Sequence, residues 1–412
     1  VLLGYRISEE EFWKNNLSFI DYFKIKASWG QLGNDQIYFD GTLQEYQFDA
    51  AYRYSWGYII DNEDKKGLSI ARFPNPHVTW EVANNFNVGI EGRLLEGLYF
   101  EIDYFYNKRS NILWRRNASI PKTAGLTLPA ENIGKVDNKG FDFKLEWNDR
   151  IGKDFLYQIS ATGGYSSNKI KFWDEARGAP EYQRSTGKRM NTGLYFKADG
   201  VFKDWDEIND ENRPNYDGIT SDKDLKPGDI KFKDVNGDGK ITPDDRVRMN
   251  KNDEPKFTYG INASLQYKNF DFTMLWQGAA GSWTKVYFDS GEFGNYFKRI
   301  YDNRWSPDQP SSKYPRVHAR EQYYWDSGAG ANNTFWMVST SYLRLKNIEL
   351  GYTIPAEIVS KTKILSGFRV YVSGHNLLTI SPSREIDPES TSRNGSGYLQ
   401  TKVLNFGFTA NF

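Results

Sequence analysis

The chain has 412 residues, with 53 Lys+Arg balanced by 53 Asp+Glu, no cysteine, and a high content of aromatics (27 Tyr, 27 Phe, 13 Trp) and of Gly (36). The formal net charge of +0 excludes recognition of nucleic acid through a global basic field. Mean hydropathy is −0.70, and no stretch nears the roughly 18 apolar residues of a spanning helix. That excludes a helical membrane protein but not a β-barrel, whose strands turn only every second residue to lipid. Aromatic and Gly enrichment favours strands with tight turns, and a chain without cysteine crosses an oxidising periplasm without mispairing.

Alternation of apolar and polar residues recurs from end to end. Phe23, Ile25, Ala27 and Trp29 alternate with Lys24, Lys26 and Ser28; Phe86, Val88 and Ile90 follow, then Phe100, Ile102, Tyr104 and Tyr106. Phe141 to Trp147 and Phe155 to Ala161 form the next pair. Phe257 to Tyr267 leads over Lys268-Asn269 into Phe270 to Trp276. Leu343 to Ile354 changes phase near Asn347, which reads as a bulge. Phe368 to Val372 and Leu404 to Phe412 close the chain. These make about ten strands, each near the roughly 9–11 residues that cross a bilayer.

Short turns fall near 95–97, 150–154 and 268–269, with a modest one near 355–367. Long polar connections fall at 31–80, 109–138, 167–256, 279–341 and 377–401. Short and long alternate strictly, the signature of an all-β transmembrane antiparallel β-barrel with short periplasmic turns and long external loops. Aromatics at strand ends, such as Tyr22-Phe23, Tyr104-Phe105-Tyr106 and Trp276, fit interfacial girdles facing outer-membrane lipid.

Within the 201–256 loop, residues 234–245 fit the twelve-residue calcium pattern. Asp234, Asn236, Asp238, Thr242 and Asp245 offer side-chain oxygens, Lys240 offers a carbonyl, and Gly239 occupies the sharp turn. Asp stands where Glu is usual in the last position, so bidentate binding is weakened. No amphipathic helix precedes the loop, so a structural calcium ion fits better than a sensor. Thr242-Pro243-Asp244-Asp245 reads as a helix start.

Catalytic signatures are missing: His77, His318 and His375 are scattered, and there is no Walker A loop, GxGxxG or G-x-S-x-G. An enzyme is not expected. Trp173, Trp205, Trp283, Trp305, Tyr323, Tyr324, Trp325 and Trp336 lie on polar loops, where they could stack on sugars, grip peptides or simply pack the loops together.

The order of motifs resembles the SusC/RagA family of TonB-dependent outer-membrane transporters from Bacteroidetes. The matching pieces are Phe23-Lys-Ile-Lys-Ala-Ser-Trp-Gly30, Tyr195-Phe-Lys-Ala-Asp-Gly200, the run Pro227 to Gly239 and Pro255 to Gly260. Ser341 to Pro355, Val370 to Leu378 and Asn405 to Phe412 complete the set. The resemblance implies that these strands are the distal part of a 22-stranded barrel whose N-terminal plug is not in this sequence. It further implies import of oligosaccharides or peptides energised through the TonB complex, with a SusD-like lipoprotein docking on the external loops. An adhesive or structural surface protein on the same barrel, and a secreted calcium-binding hydrolase, are the alternatives.

Overall fold

The structure, a computed structural model, describes the chain except residues 18, 37, 40–41, 44–45, 47, 96, 117–128, 220–223, 287–296, 311–313, 318–331, 385 and 391–399. Eleven strands form one antiparallel sheet: β1 (Leu2–Arg6), β2 (Tyr22–Asn34), β3 (Glu81–Leu94), β4 (Leu98–Arg115), β5 (Ala130–Ile151), β6 (Phe155–Phe172), β7 (Phe257–Tyr267), β8 (Phe270–Ala280), β9 (Tyr342–Thr353), β10 (Gly367–Ile380) and β11 (Val403–Asn411). Each pairs with its neighbour in sequence, so the sheet is a plain meander. All ten expected strands are present. The eleventh, β1, is five residues long and too short to display a period in sequence.

Two details of the pattern are reproduced. The β7–β8 hairpin turns on Lys268-Asn269, with Lys268 at φ 53. The phase change near Asn347 is a bulge: register slips between Leu345 and Asn347 against β10, and between Leu275 and Trp276 of β8 against β9.

Alternation divides the sheet into two chemically distinct faces. One carries Ile25, Phe86, Ile102, Phe141, Ile261 and Phe406, which are 37–84% exposed. A continuous apolar face of this kind needs lipid as its solvent. The opposite face is charged. Lys24 lies 3.1 Å from Glu91, Lys26 2.9 Å from Asp103 and 3.7 Å from Glu91, and Lys26 also pairs with Glu101. Farther round, Arg369 bridges Asp271 and Glu349, the latter at 2.7 Å. Gly89 is required in this band. A Cβ there would stand 2.4 Å from Asp103 Oδ1 and 2.8 Å from Lys26 Cε, so a side chain would break the pair that crosses over it.

The three tight turns, the 354–366 connection and the 7–21 segment share one end of the sheet; the five long connections share the other. The wall is taller at that second end than the periodicity predicts. β5 has 22 residues, and β4 and β6 have 18 each, so these strands rise well beyond what a bilayer crossing needs. The 31–80 connection also holds a hairpin, Ala51–Ile60 with Glu63–Arg72. Its tip, Asp61-Asn62, has φ 53 and 62, the doubly left-handed turn that suits a two-residue hairpin. No helix among the described residues is long and apolar enough to cross a membrane.

Candidate functional site in the external loops

The deepest apolar burial in the molecule lies in the loops rather than in the wall. Phe196, Ile230, Ile241 and Val286 are fully enclosed, and Val201, Tyr216, Leu225, Ile300, Trp336 and Ile386 join them in one cluster. These residues come from three different connections. Short strand pairs brace two of these connections internally, Leu194–Tyr195 with Val247–Arg248, Ala198–Val201 with Ile230–Phe232, and Trp283–Lys285 with Met337–Ser339, and a bridge between Phe196 and Asn333 joins the two. Phe196 stacks on Phe232 with centroids 5.2 Å apart. Three loops therefore make one cap with its own core.

The acidic loop is pinned to the rim of this core, with Ile241 buried in it. Asp234 accepts from the amides of Gly237 (2.7 Å) and Gly239 (2.8 Å), Asn236 from Asp238 (3.0 Å) and Asp238 from Lys240 (2.9 Å). Gly237 and Gly239 are both at φ +76, a conformation that L side chains strain to adopt. Asp245 is fully buried and accepts from Val235 (2.8 Å) and Thr242 (2.8 Å). The expected helix start is a 3-10 turn, Pro243–Asp245, closed by a capping box between Thr242 and Asp245. Burial pushes the Asp234 carboxyl up, but the amides of Gly239 and Gly237 outweigh it and hold it below the usual carboxylate range. Burial and then the carboxylates of Asp245, Asp244, Asp238 and Asp234 push the Tyr182 phenol up, so the loop projects a negative field. Among the described residues no three acidic or histidine side chains converge on a common metal position. The backbone amides thus close the loop by themselves. Asp245→Ala leaves the half-buried amides of Val235 and Thr242 without their acceptor. It is expected to cost about 1–3 kcal/mol locally, read as faster hydrogen exchange at those two amides.

The eight loop aromatics separate by environment. Trp205 is 55% exposed at the start of the turn Trp205–Ile208. Trp173 packs on Trp114 with centroids 4.4 Å apart. The Trp283 ring lies under Lys251 Nζ at 3.3 Å, and Trp305 Nε1 donates to the Lys203 carbonyl at 3.0 Å. Trp336 corrects the expectation of an accessible ring: it is 1% exposed and fills the cluster shared by the loops, with Phe335 and Trp305 packed around that cluster. Tyr323, Tyr324 and Trp325 lie outside the described residues, as does His318.

A charge cluster that sequence reasoning missed fastens the last loop. Arg344 is 2% exposed and sits on the face opposite Leu343 and Leu345. Its guanidinium reaches Asp387 at 2.8 Å, Thr379 Oγ1 at 3.0 Å, and Glu389; Lys346 pairs with Glu389 at 2.9 Å. Tyr342 donates its hydroxyl to Glu389 at 2.9 Å. Alternation puts Arg344 on the inner face, but nothing local in sequence connects it to carboxylates more than forty residues away.

A sheet with one face for lipid, a charged opposite face, short turns at one end and a folded cap at the other is wall of an outer-membrane β-barrel. Comparisons with known proteins narrow the class. Over 97% of its length the chain is 30% identical to "TonB-dependent receptor P26" of Formosa agariphila, and over 95% it is 24% identical to "TonB-dependent receptor SusC" of Bacteroides thetaiotaomicron. In fold it is similar to the RagAB peptide importer in its open-open state, with a TM-score of 0.72, 21% identity and the whole chain covered. No family model matches the chain. The chain spans 40% and 37% of the two curated relatives and 42% of the RagAB chain. The resemblance carried by the motif order therefore holds nearly end to end, and these relatives are receptors and transporters, not enzymes.

Proposed function

We propose that the chain forms wall and external cap of a TonB-energised importer of oligosaccharides or peptides, working with a SusD-like surface lipoprotein. The observation that carries this is the cap itself. Loops used only as surface decoration have no need of a common core, whereas a rigid platform beside a lumen suits docking of a partner and enclosure of cargo. Exposed Trp205 supplies a face for stacking on sugar or gripping peptide. Affinity purification of the full-length protein from its native outer membrane is expected to bring down a lipoprotein, and deletion of the gene to abolish growth on one class of glycan or peptide. Purification of the barrel alone, with growth unchanged on both nutrient classes, would refute the importer.

Calcium belongs to the same reading. Asp234, Asn236, Asp238, the Lys240 carbonyl and Asp245 are the hard oxygen donors that calcium takes, and the field felt at Tyr182 favours a cation. Since hydrogen bonds already fold the loop, the ion is assigned the role of tightening it. Calcium added to the purified full-length protein is expected to slow proteolysis within 201–256, and Asp238→Ala to remove that effect. Identical digestion with calcium and with chelator rules the ion out.

A further inference from the structure

We propose that the lipid-facing side of the wall carries, just above its aromatic row, a site for the phosphate groups of an outer-leaflet lipid. Register defines the place. Tyr104, Phe141 and Tyr165 are direct cross-strand partners on β4, β5 and β6, with Phe141 and Tyr165 stacked at 5.8 Å. The next row outward on the same face is Tyr106, Lys139 and Ser167, and the row after that Lys108, Asp137 and Lys169. From Leu98, beside the turn, to Lys108 the strand runs about 34 Å, or about 26 Å of height at a tilt of about 40°, close to the apolar thickness of an outer membrane. The change from aromatic to cationic side chains thus falls where lipid tails give way to headgroups.

The site is recessed. Tyr104, Tyr106, Lys139, Lys169, Lys171 and Arg189 line a cavity of about 550 Å³, its lip folded over by the 187–189 segment, where the Gly187 amide donates to the Ile170 carbonyl at 2.8 Å. Lys139 and Lys169 are exposed and have no ion-pair partner among the described residues. Lys171 lies 3.6 Å from Asp137, which also accepts from Tyr106 at 2.7 Å, and Lys108 sits over the Tyr106 ring. Arg189 backs the recess. It is 3% exposed; Nη2 reaches the Glu254 carbonyl at 3.3 Å and its carboxylate at 4.0 Å, while Nε and Nη1 have no hydrogen-bond partner. Five cations thus face the carboxylates of Asp137 and Glu254. Surplus positive charge beside a hydrocarbon band, with unsatisfied guanidinium donors behind it, matches a phosphorylated headgroup whose acyl chains lie on the aromatic row below.

The inference rests on the membrane placement of the wall and not on what is imported. The full-length protein, delipidated in detergent, is offered diphosphorylated lipid A, the same lipid with its phosphates removed, or inorganic phosphate, and retained lipid is read by native mass spectrometry. The expected result is preference for the phosphorylated lipid, reduced about tenfold or more by the double variant Lys139→Ala/Lys169→Ala and regained by Lys139→Arg/Lys169→Arg. Unchanged heat-modifiable mobility of each variant shows that the barrel has folded. Equal retention of both lipids, or a double variant that binds like the parent, overturns the site. Displacement of the lipid by inorganic phosphate at equal concentration overturns the lipid as its source.

Discussion

Arg344→Ala is expected to cost about 3–5 kcal/mol and to detach the last external loop from the wall. The guanidinium is nearly inaccessible and is the shared partner of Asp387, Glu389 and Thr379. Truncation strips Asp387, whose side chain is 9% exposed, of its guanidinium, and leaves Glu389 with Lys346 and the Tyr342 hydroxyl. The cost arises from stranded carboxylates rather than from the net value of the pair, since a buried ion pair roughly offsets its own desolvation. A variant that replaces Arg344 with Met, Asp387 with Asn and Glu389 with Gln is therefore expected to be milder than the single change. Limited proteolysis around 381–390 in folded barrel distinguishes them: rapid cleavage in Arg344→Ala and slower cleavage in the triple variant. Equal protection in all three would show that the cluster does not hold the loop.

Trp336→Ala is expected to have an effect of similar size, about 3–5 kcal/mol, confined to the cap. The ring is 1% exposed, meets Phe335 edge-on at 5.0 Å, and its carbonyl accepts from Val286 at 3.0 Å. Its removal leaves a cavity among residues of three loops, so protection from hydrogen exchange should fall together at Phe196, Ile230 and Val286. Wall strands such as Ala263 on β7 should keep theirs, because no side chain of the wall packs in that cluster. Trp336→Phe fills part of the space and should fall between. Loss confined to residues next to 336 would show that the loops are independent.

The wall was legible in the sequence and the cap was not. A strand in lipid must show its apolar face at every second position, so the phase of Phe257 to Tyr267 could be read without knowing its neighbours. The extra height of β4, β5 and β6 was hidden because their outer ends rise past the hydrocarbon, where Asn107, Lys108 and Asn138 carry no apolar period. The hairpin 51–72 left a signal that went unused, Asp61-Asn62 between two alternating runs. The cap gave none: Phe196, Tyr216, Ile300 and Ile386 are spaced irregularly, and only folding shows that they meet. In the acidic loop, the capping box at Thr242 was legible as a local motif, whereas the engagement of Asp234, Asp238 and Asp245 by backbone amides depends on the turn geometry.

One neighbourhood in the last loop links these parts. Ile386 is buried in the cap's core, and the next residue, Asp387, is held by Arg344 of β9. Adjacent residues are thus anchored to two different bodies, which leaves almost no slack between them. The 386–387 peptide, beside the direct continuations of the Trp283–Lys285 and Met337–Ser339 strands into the wall, couples the cap to β9 close to the Leu345/Asn347 bulge. The position of the cap and the register of β9 against β10 are therefore set together.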